Sequence, residues 1–272
     1  MFENEQIAFI GAGAMGSAMV KGVLSRRIVA PKQIIAADPS RDICDELVRS
    51  HEVNVTRDNV VACKEANIIV LSVKPEVLDK VFRDLSGCVG SDALVISIIA
   101  GAKLDDLIEG LSHKSVIRCM PNTPAQIGKG ITVWTESVDV SGFQHEQAML
   151  LLESLGRQIF VDDEKYLDMA TALSGSGPAY VFLFIEALVE AGVNIGFSRT
   201  VAEELVHTTV KGSVDYAMNS TKDLLELRTQ VTSPGGTTEA ALNCFEAREF
   251  RAIVSNAVAA AYQRSIDLGK NK

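Results

Sequence analysis

The feature that most constrains this chain is the order of three short segments near its start. Four apolar residues, Ile7-Ala8-Phe9-Ile10, run directly into Gly11-Ala12-Gly13-Ala14-Met15-Gly16, and an amphipathic stretch from Ser17 to Leu24 follows. Strand, glycine turn and helix in this order form the phosphate-binding unit of a doubly wound α/β domain. Gly11 permits the tight turn, Gly13 lets backbone approach a pyrophosphate, and Gly16 allows close helix packing. The six residues Gly11, Ala12, Gly13, Ala14, Met15 and Gly16 are therefore candidate cofactor contacts. A second strand pattern, Ile34 to Ala37, ends in Asp38, at the offset where an acidic residue meets the adenosine ribose hydroxyls. Asp38 favours NADH, whereas Ser40 and Arg41 just beyond it suit a 2′-phosphate, so NADPH and NADH both stay open as cofactors.

Further β-branched runs alternate with helical stretches: Ile68 to Val73, Leu94 to Ile99 and Val116 to Arg118, with Ile131 to Trp134 and Ile159 to Val161 as additional strand candidates. Runs apolar on both faces suit parallel strands covered by helices above and below. Three segments follow strands at the edge where ligands gather in open α/β sheets: Val73-Lys74-Pro75, Ala100-Gly101, and the turn containing Asn122. They complete the cofactor set, with Lys74 offsetting phosphate charge and the other two framing the nicotinamide.

After Asp162-Asp163-Glu164 the texture changes to helical periodicity, with helices expected over 166–173, 179–191, 200–218 and 238–268. The expected fold class is thus α/β, a Rossmann-type dinucleotide-binding domain over 1–162 followed by an all-helical dimerisation domain over 163–272. Helices rich in Ala, Val and Leu that have no sheet to cover bury their stripes against a second subunit, so a homo-oligomer is expected; a self-contained monomeric bundle is the alternative.

A net charge of -9 disfavours nucleic acid and anionic membrane surfaces as partners. No apolar run is read as reaching the ~20 residues of a membrane span, and no targeting signal is read at the start. Five scattered cysteines without a CxxC pair suit reduced thiols and the cytoplasm, and four dispersed histidines offer no metal-ligand spacing, so no metal is expected.

Two glycine-proline clusters interrupt the helices, Leu173 to Tyr180 and Gln230 to Glu239. In the second, Gly235-Gly236 exposes backbone N–H groups and Thr237-Thr238 adds hydroxyls at a helix start. That combination suits a small anion, most of all a carboxylate, although an ordinary capped loop fits the same residues.

Together with Phe9 to Gly13 and Val73-Lys74-Pro75, these clusters resemble the pyrroline-5-carboxylate reductase family over nearly the whole chain, Ser233 to Thr238 being the most specific stretch. The resemblance implies NADPH- or NADH-dependent reduction of the cyclic imine 1-pyrroline-5-carboxylate to L-proline, the last step of proline biosynthesis. It implies dimers interlocked through the helical domain, often in a ring of five dimers. By the same resemblance Ser233, Gly236 and Thr237 hold the substrate carboxylate, Thr238 is catalytic through its hydroxyl at the ring nitrogen, and Gln230 and Glu164 line the substrate pocket. Asn59 contacts the adenosine end. Members vary at the positions of Asp38 and Thr221, which leaves cofactor preference and fine substrate contacts open.

Two other readings compete. A hydroxyacid dehydrogenase needs a lysine on the first long helix of its second domain, and 166–195 contains none. A non-catalytic dinucleotide sensor has no need of the 233–238 cradle.

Overall fold

In the computed structural model, which describes residues 1–270, the chain divides into two compact units, Met1–Ser176 with the stretch from Ala261 onward, and Gly177–Ala260. The sequence reading instead separates its functional parts at 162. The compact boundary falls later because α7 (Lys165–Ala170) and the following single π-turn (Thr171–Gly175) pack with the sheet. Leu167 and Ala170 share a small core with Val133.

The first unit is built on an eight-stranded sheet. Its strands are β1 (Ile7–Ile10), β2 (Ile34–Ala37), β3 (Asn54–Thr56), β4 (Ile68–Leu71), β5 (Leu94–Ser97), β6 (Val116–Met120), β7 (Gly130–Glu136) and β8 (Gly156–Phe160). They lie in the order β3-β2-β1-β4-β5-β6-β7-β8. The first six are parallel, whereas β7 runs antiparallel to β6 and β8 parallel to β7.

Alternate residues of the central strands feed two cores. Ile7, Phe9, Ile68, Val70, Leu94 and Ile96 face α1 (Ala14–Ser25) and α6 (Gly142–Glu153) through Met19, Val23, Leu151 and Leu152. Ala8, Ile10, Ile69, Leu71 and Val95 face α4 (Leu78–Leu85) and α5 (Leu104–Leu111). Burial on both faces is the physical reason these strands read as continuous apolar runs.

Several expectations need correcting. Strand β3 is absent from the sequence reading; it is three residues long, lies at the sheet edge, and Asn54 is exposed. The run expected from Ile68 to Val73 stops pairing at Leu71, and that from Leu94 to Ile99 at Ser97.

The second unit is helical: α8 (Gly177–Asn194), α9 (Arg199–Asn219), α10 (Leu224–Gln230), α11 (Thr237–Ala247) and the first part of α12 (Phe250–Lys270). Here α10 is an addition, started by Asp223, whose side chain accepts from the Glu226 N–H while Glu226 returns to the Asp223 N–H. The helix expected over 238–268 is two helices, broken where Glu249 takes a left-handed backbone (φ 54°). Within this unit Val189 and Ala202 are the buried apolar side chains among the described residues, while Phe182, Leu183, Tyr216 and Ile253 are exposed.

One stretch reverses the reading that nothing here approaches a membrane span. Residues 165–194 are long and apolar enough to cross one by length and composition alone. The run is continuous because the π-turn carries the helix through 171–175, where Gly175 and Pro178 suggest an interruption.

Candidate active site

The glycine turn sits at the switch point of the sheet, between β1 and β4, where the crossovers leave in opposite directions. Gly11 has φ +87°, and a Cβ there meets the Ser72 carbonyl oxygen and Val73 Cγ1, both at 2.8 Å. A Cβ on Gly16 meets the Gly11 oxygen at 2.6 Å and Ser72 Oγ at 2.8 Å. Both glycines are needed for the turn to lie against β4. Gly13 differs, for a Cβ there meets nothing within 4 Å, so the space in front of its backbone is open. As N-cap of α1, Gly13 contributes no side chain, which leaves the first N–H groups of Ala14, Met15 and Gly16 without an intrahelical acceptor. Open space before a bare helix start is what a pyrophosphate requires, and the residues present fit a dinucleotide.

A cleft of about 740 Å³ extends from this turn. It brings together Gly11, Gly13, Asp38, Asn59, Val73 and Lys74 of the expected set. Ala12, Ala14, Met15 and Gly16 form the turn and the start of α1 behind it. Asp38 is buried, and its carboxylate accepts from the Ala12 N–H (2.8 Å) and the Ser40 N–H (2.9 Å). It therefore pins the glycine turn to the end of β2. Ser40 uses its hydroxyl to cap α2 (Arg41–His51), and Arg41 points to Asp45 at 3.9 Å; neither lines the cleft. Asn59 opens α3 (Asn59–Cys63) after the N-cap Asp58, and its amide donates to Asp84 at 3.1 Å.

The remaining expected contacts lie outside this cleft. Pro75 opens the short 3₁₀ turn after Lys74. Ala100 and Gly101 follow β5, and Gly101 (φ +75°) comes close to Leu268 of α12, with a Cβ at 3.3 Å from that side chain. Asn122 has both ends of its amide engaged, donating to the Ser174 carbonyl (3.1 Å) and accepting from the Ile131 N–H (3.0 Å), so it clamps two loops together. The sequence reading misses Arg57, Lys80 and Asp84, which also line the cleft. Arg57 becomes visible only once the three-residue β3 is recognised.

Glu164 lies in a different network. Its Oε1 accepts from Arg118 Nη1 (2.7 Å) and the Leu104 N–H (2.8 Å), while Arg118 Nη2 reaches Asp168 (3.4 Å).

In the helical unit, Gly235 (φ +71°) lets the chain turn so that the Gly236 N–H donates to the Ser233 carbonyl at 3.0 Å. The Gly235 N–H donates to Glu239 Oε2 at 2.8 Å. Gly236 caps α11 without a side chain, so the N–H groups of Thr237 and Thr238 open onto the space before the helix. The segment Ser233 to Thr238 is thus a helix start without a side-chain cap, with the Glu239 carboxylate held by the Gly235 N–H. Gln230 ends α10, six residues before Gly236, and Thr221 is exposed in the preceding loop.

The buried thiols have no catalytic character. Desolvation pushes Cys63 up to about 12 and raises Cys119 further, and burial also raises Cys44 above the usual thiol value, so the reactive thiolate is suppressed at all three.

A family model described as pyrroline-5-carboxylate reductase dimerisation matches residues 164–268, and one described as NADP oxidoreductase, coenzyme F420-dependent, matches residues 6–101. A pyrroline-5-carboxylate reductase of Pseudomonas aeruginosa is 40% identical over 266 residues, covering 97% of each chain. The chain belongs to the pyrroline-5-carboxylate reductase family. Another reductase of this family, from Synechocystis, is 38% identical over 97% of this chain and 98% of its own. The crystal structure of a Plasmodium falciparum pyrroline carboxylate reductase with NADP bound superposes with a TM-score of 0.90 at 34% identity, covering 98% of this chain and 99% of that one. The two matched segments correspond to the glycine-turn half of the sheet and to the helices from α7 to α12.

Proposed function

We propose that this chain reduces the C=N bond of 1-pyrroline-5-carboxylate to L-proline with NADPH or NADH, the last step of proline biosynthesis. The observation that carries the reading is the 40% identity along 97% of both chains with the Pseudomonas reductase, kept together with an intact glycine turn and an uncapped 233–238 cradle.

Bound at the cleft, the reduced nicotinamide supplies the hydride. The chain's own residues do the rest. Gly11 to Gly16 and Lys74 hold the phosphates, Asp38 and Asn59 the adenosine end, with Val73, Pro75, Ala100, Gly101 and Asn122 framing the cofactor. In the helical part Ser233 and the N–H groups of Gly236, Thr237 and Thr238 bind the carboxylate. The Thr238 hydroxyl holds the proton at the ring nitrogen as it becomes an amine, and Gln230 and Glu164 border the pocket. Positioning substrate and donor in this way contributes most of the acceleration, an effect worth roughly 7 to 11 kcal/mol in well-oriented reactions. In this reading 1–162 is the cofactor part and 163–272 the substrate-binding and dimerisation part.

The direct test follows nicotinamide absorbance with each cofactor in the presence and absence of pyrroline-5-carboxylate. Substrate-dependent oxidation with proline as product is expected; oxidation indifferent to substrate refutes the reading.

We further infer a cytoplasmic homo-oligomer, a dimer through the helical part and by family resemblance a ring of five dimers. The support is physical: a helical unit that leaves Phe182, Leu183 and Ile253 exposed needs a second copy to cover them. Light scattering on the purified protein is expected to give at least twice the chain mass at all concentrations, and a monomer mass speaks against it.

A further inference from the structure

Six charged side chains line the cleft beside the glycine turn: Asp38, Asp58 and Asp84 against Arg57, Lys74 and Lys80. Their circumstances differ. Asp38 accepts from two backbone N–H groups, Asp58 accepts from the N–H groups of Val60 and Val61, and Asp84 accepts from the Asn59 amide. None of the three bases has a carboxylate oxygen within 4.0 Å among the described residues. The six charges sum to zero, but each acid is held by a neutral N–H donor while the three bases have no carboxylate partner among the described residues, so the bases stay available to a multiply anionic ligand.

Strand register places that charge. Ala37 of β2 pairs with Thr56 of β3, and the Asp38 N–H donates to the Thr56 carbonyl at 3.2 Å. Asp38 and Arg57 are therefore the next residues out on neighbouring strands, side by side at the carboxyl edge. Lys74 follows β4, three strand spacings from β3 in the sheet order, roughly 14 Å away. Lys74 thus belongs to the pyrophosphate by the glycine turn and Arg57 to the far, adenosine end.

We propose that Arg57 is the residue that selects a ribose 2′-phosphate, so that this chain prefers NADPH to NADH. This deepens the dinucleotide reading given above and rests on it. A guanidinium presents paired N–H donors that match a phosphate, and Arg57 is exposed and lines the cleft with no ion-pair partner among the described residues. Asp38 opposes this less than its charge suggests, because both its oxygens already accept backbone N–H groups. Arg41 and Ser40, the residues that sequence offers for the same task, are turned to Asp45 and to the start of α2.

The test uses two nucleotides that differ by one phosphate, adenosine 2′,5′-bisphosphate and 5′-AMP, titrated calorimetrically into the full-length wild type, Arg57→Gln and Arg41→Gln. Wild type is expected to bind the bisphosphate on the order of tenfold tighter, Arg57→Gln to lose most of that advantage with 5′-AMP changed less than about twofold, and Arg41→Gln to behave as wild type. The proposal is overturned if Arg57→Gln keeps the wild-type ratio, if it weakens both nucleotides equally, or if Arg41→Gln carries the loss. Failure of both nucleotides to bind the wild type sinks the dinucleotide reading along with this one. Binding of both with a ratio indifferent to Arg57 sinks this one alone.

Discussion

Replacing Thr238 with alanine is expected to lower kcat/KM by about two to three orders of magnitude, the usual cost of removing a donor that acts at the reacting centre. Thr171 and Thr229 within helical turns, and Thr232 just past the end of α10, spend their hydroxyls on the carbonyl four residues earlier, at 2.7 to 2.8 Å. Thr238, second residue of α11 and half-buried, makes no such bond among the described residues, which fits the role proposed for its hydroxyl. Because it stands in the cradle and not in the glycine turn, cofactor affinity is expected to move by less than about twofold, and Thr238→Ser to retain most of the rate. Steady-state kinetics with a parallel cofactor titration decides it. A fall in cofactor affinity as large as the fall in rate means the substitution disturbs the fold and the assignment is wrong.

The largest stability effect is expected at Arg118. This side chain is 4% exposed, and its two partners, Glu164 and Asp168, are 29% and 17% exposed. The Leu104 N–H also donates to Glu164, and the Ser265 hydroxyl donates to Asp168 at 2.8 Å. One guanidinium on β6 thereby joins the start of α5, helix α7 and the end of α12. Arg118→Met leaves two carboxylates facing a buried site without a counter-charge, which costs roughly 3 to 5 kcal/mol. Adding Glu164→Gln and Asp168→Asn removes the stranded charges and is expected to recover much of that loss. Denaturant unfolding of the single and triple variants measures both; a loss under about 1 kcal/mol for Arg118→Met reduces the network to a surface ion pair.

How far each element could be read in advance follows from how local its cause is. The turn from β1 through Gly16 into α1 was legible because every requirement, an apolar strand, a positive-φ glycine and an uncapped helix start, lies within neighbouring residues. The same holds for the positive-φ Gly235 and the helix start at Thr237. By contrast β3 carries too little apolar signal to announce itself, since Asn54-Val55-Thr56 sits at an edge with one neighbouring strand. Nor does anything in Asp38 say that its two oxygens go to Ala12 and Ser40, because those partners are set by where β2 comes to rest beside the turn.

The amino-acid order alone determined a parallel sheet with a glycine turn at the start of its first helix, and a helical second part, since periodicity and turn chemistry act over a few residues. Only the folded chain decided that β7 reverses direction, that Arg118 is the cation for Glu164, and that Arg57 and not Arg41 stands at the cleft. Those facts depend on pairings between residues far apart in sequence, whose register is chosen by burial of the whole sheet.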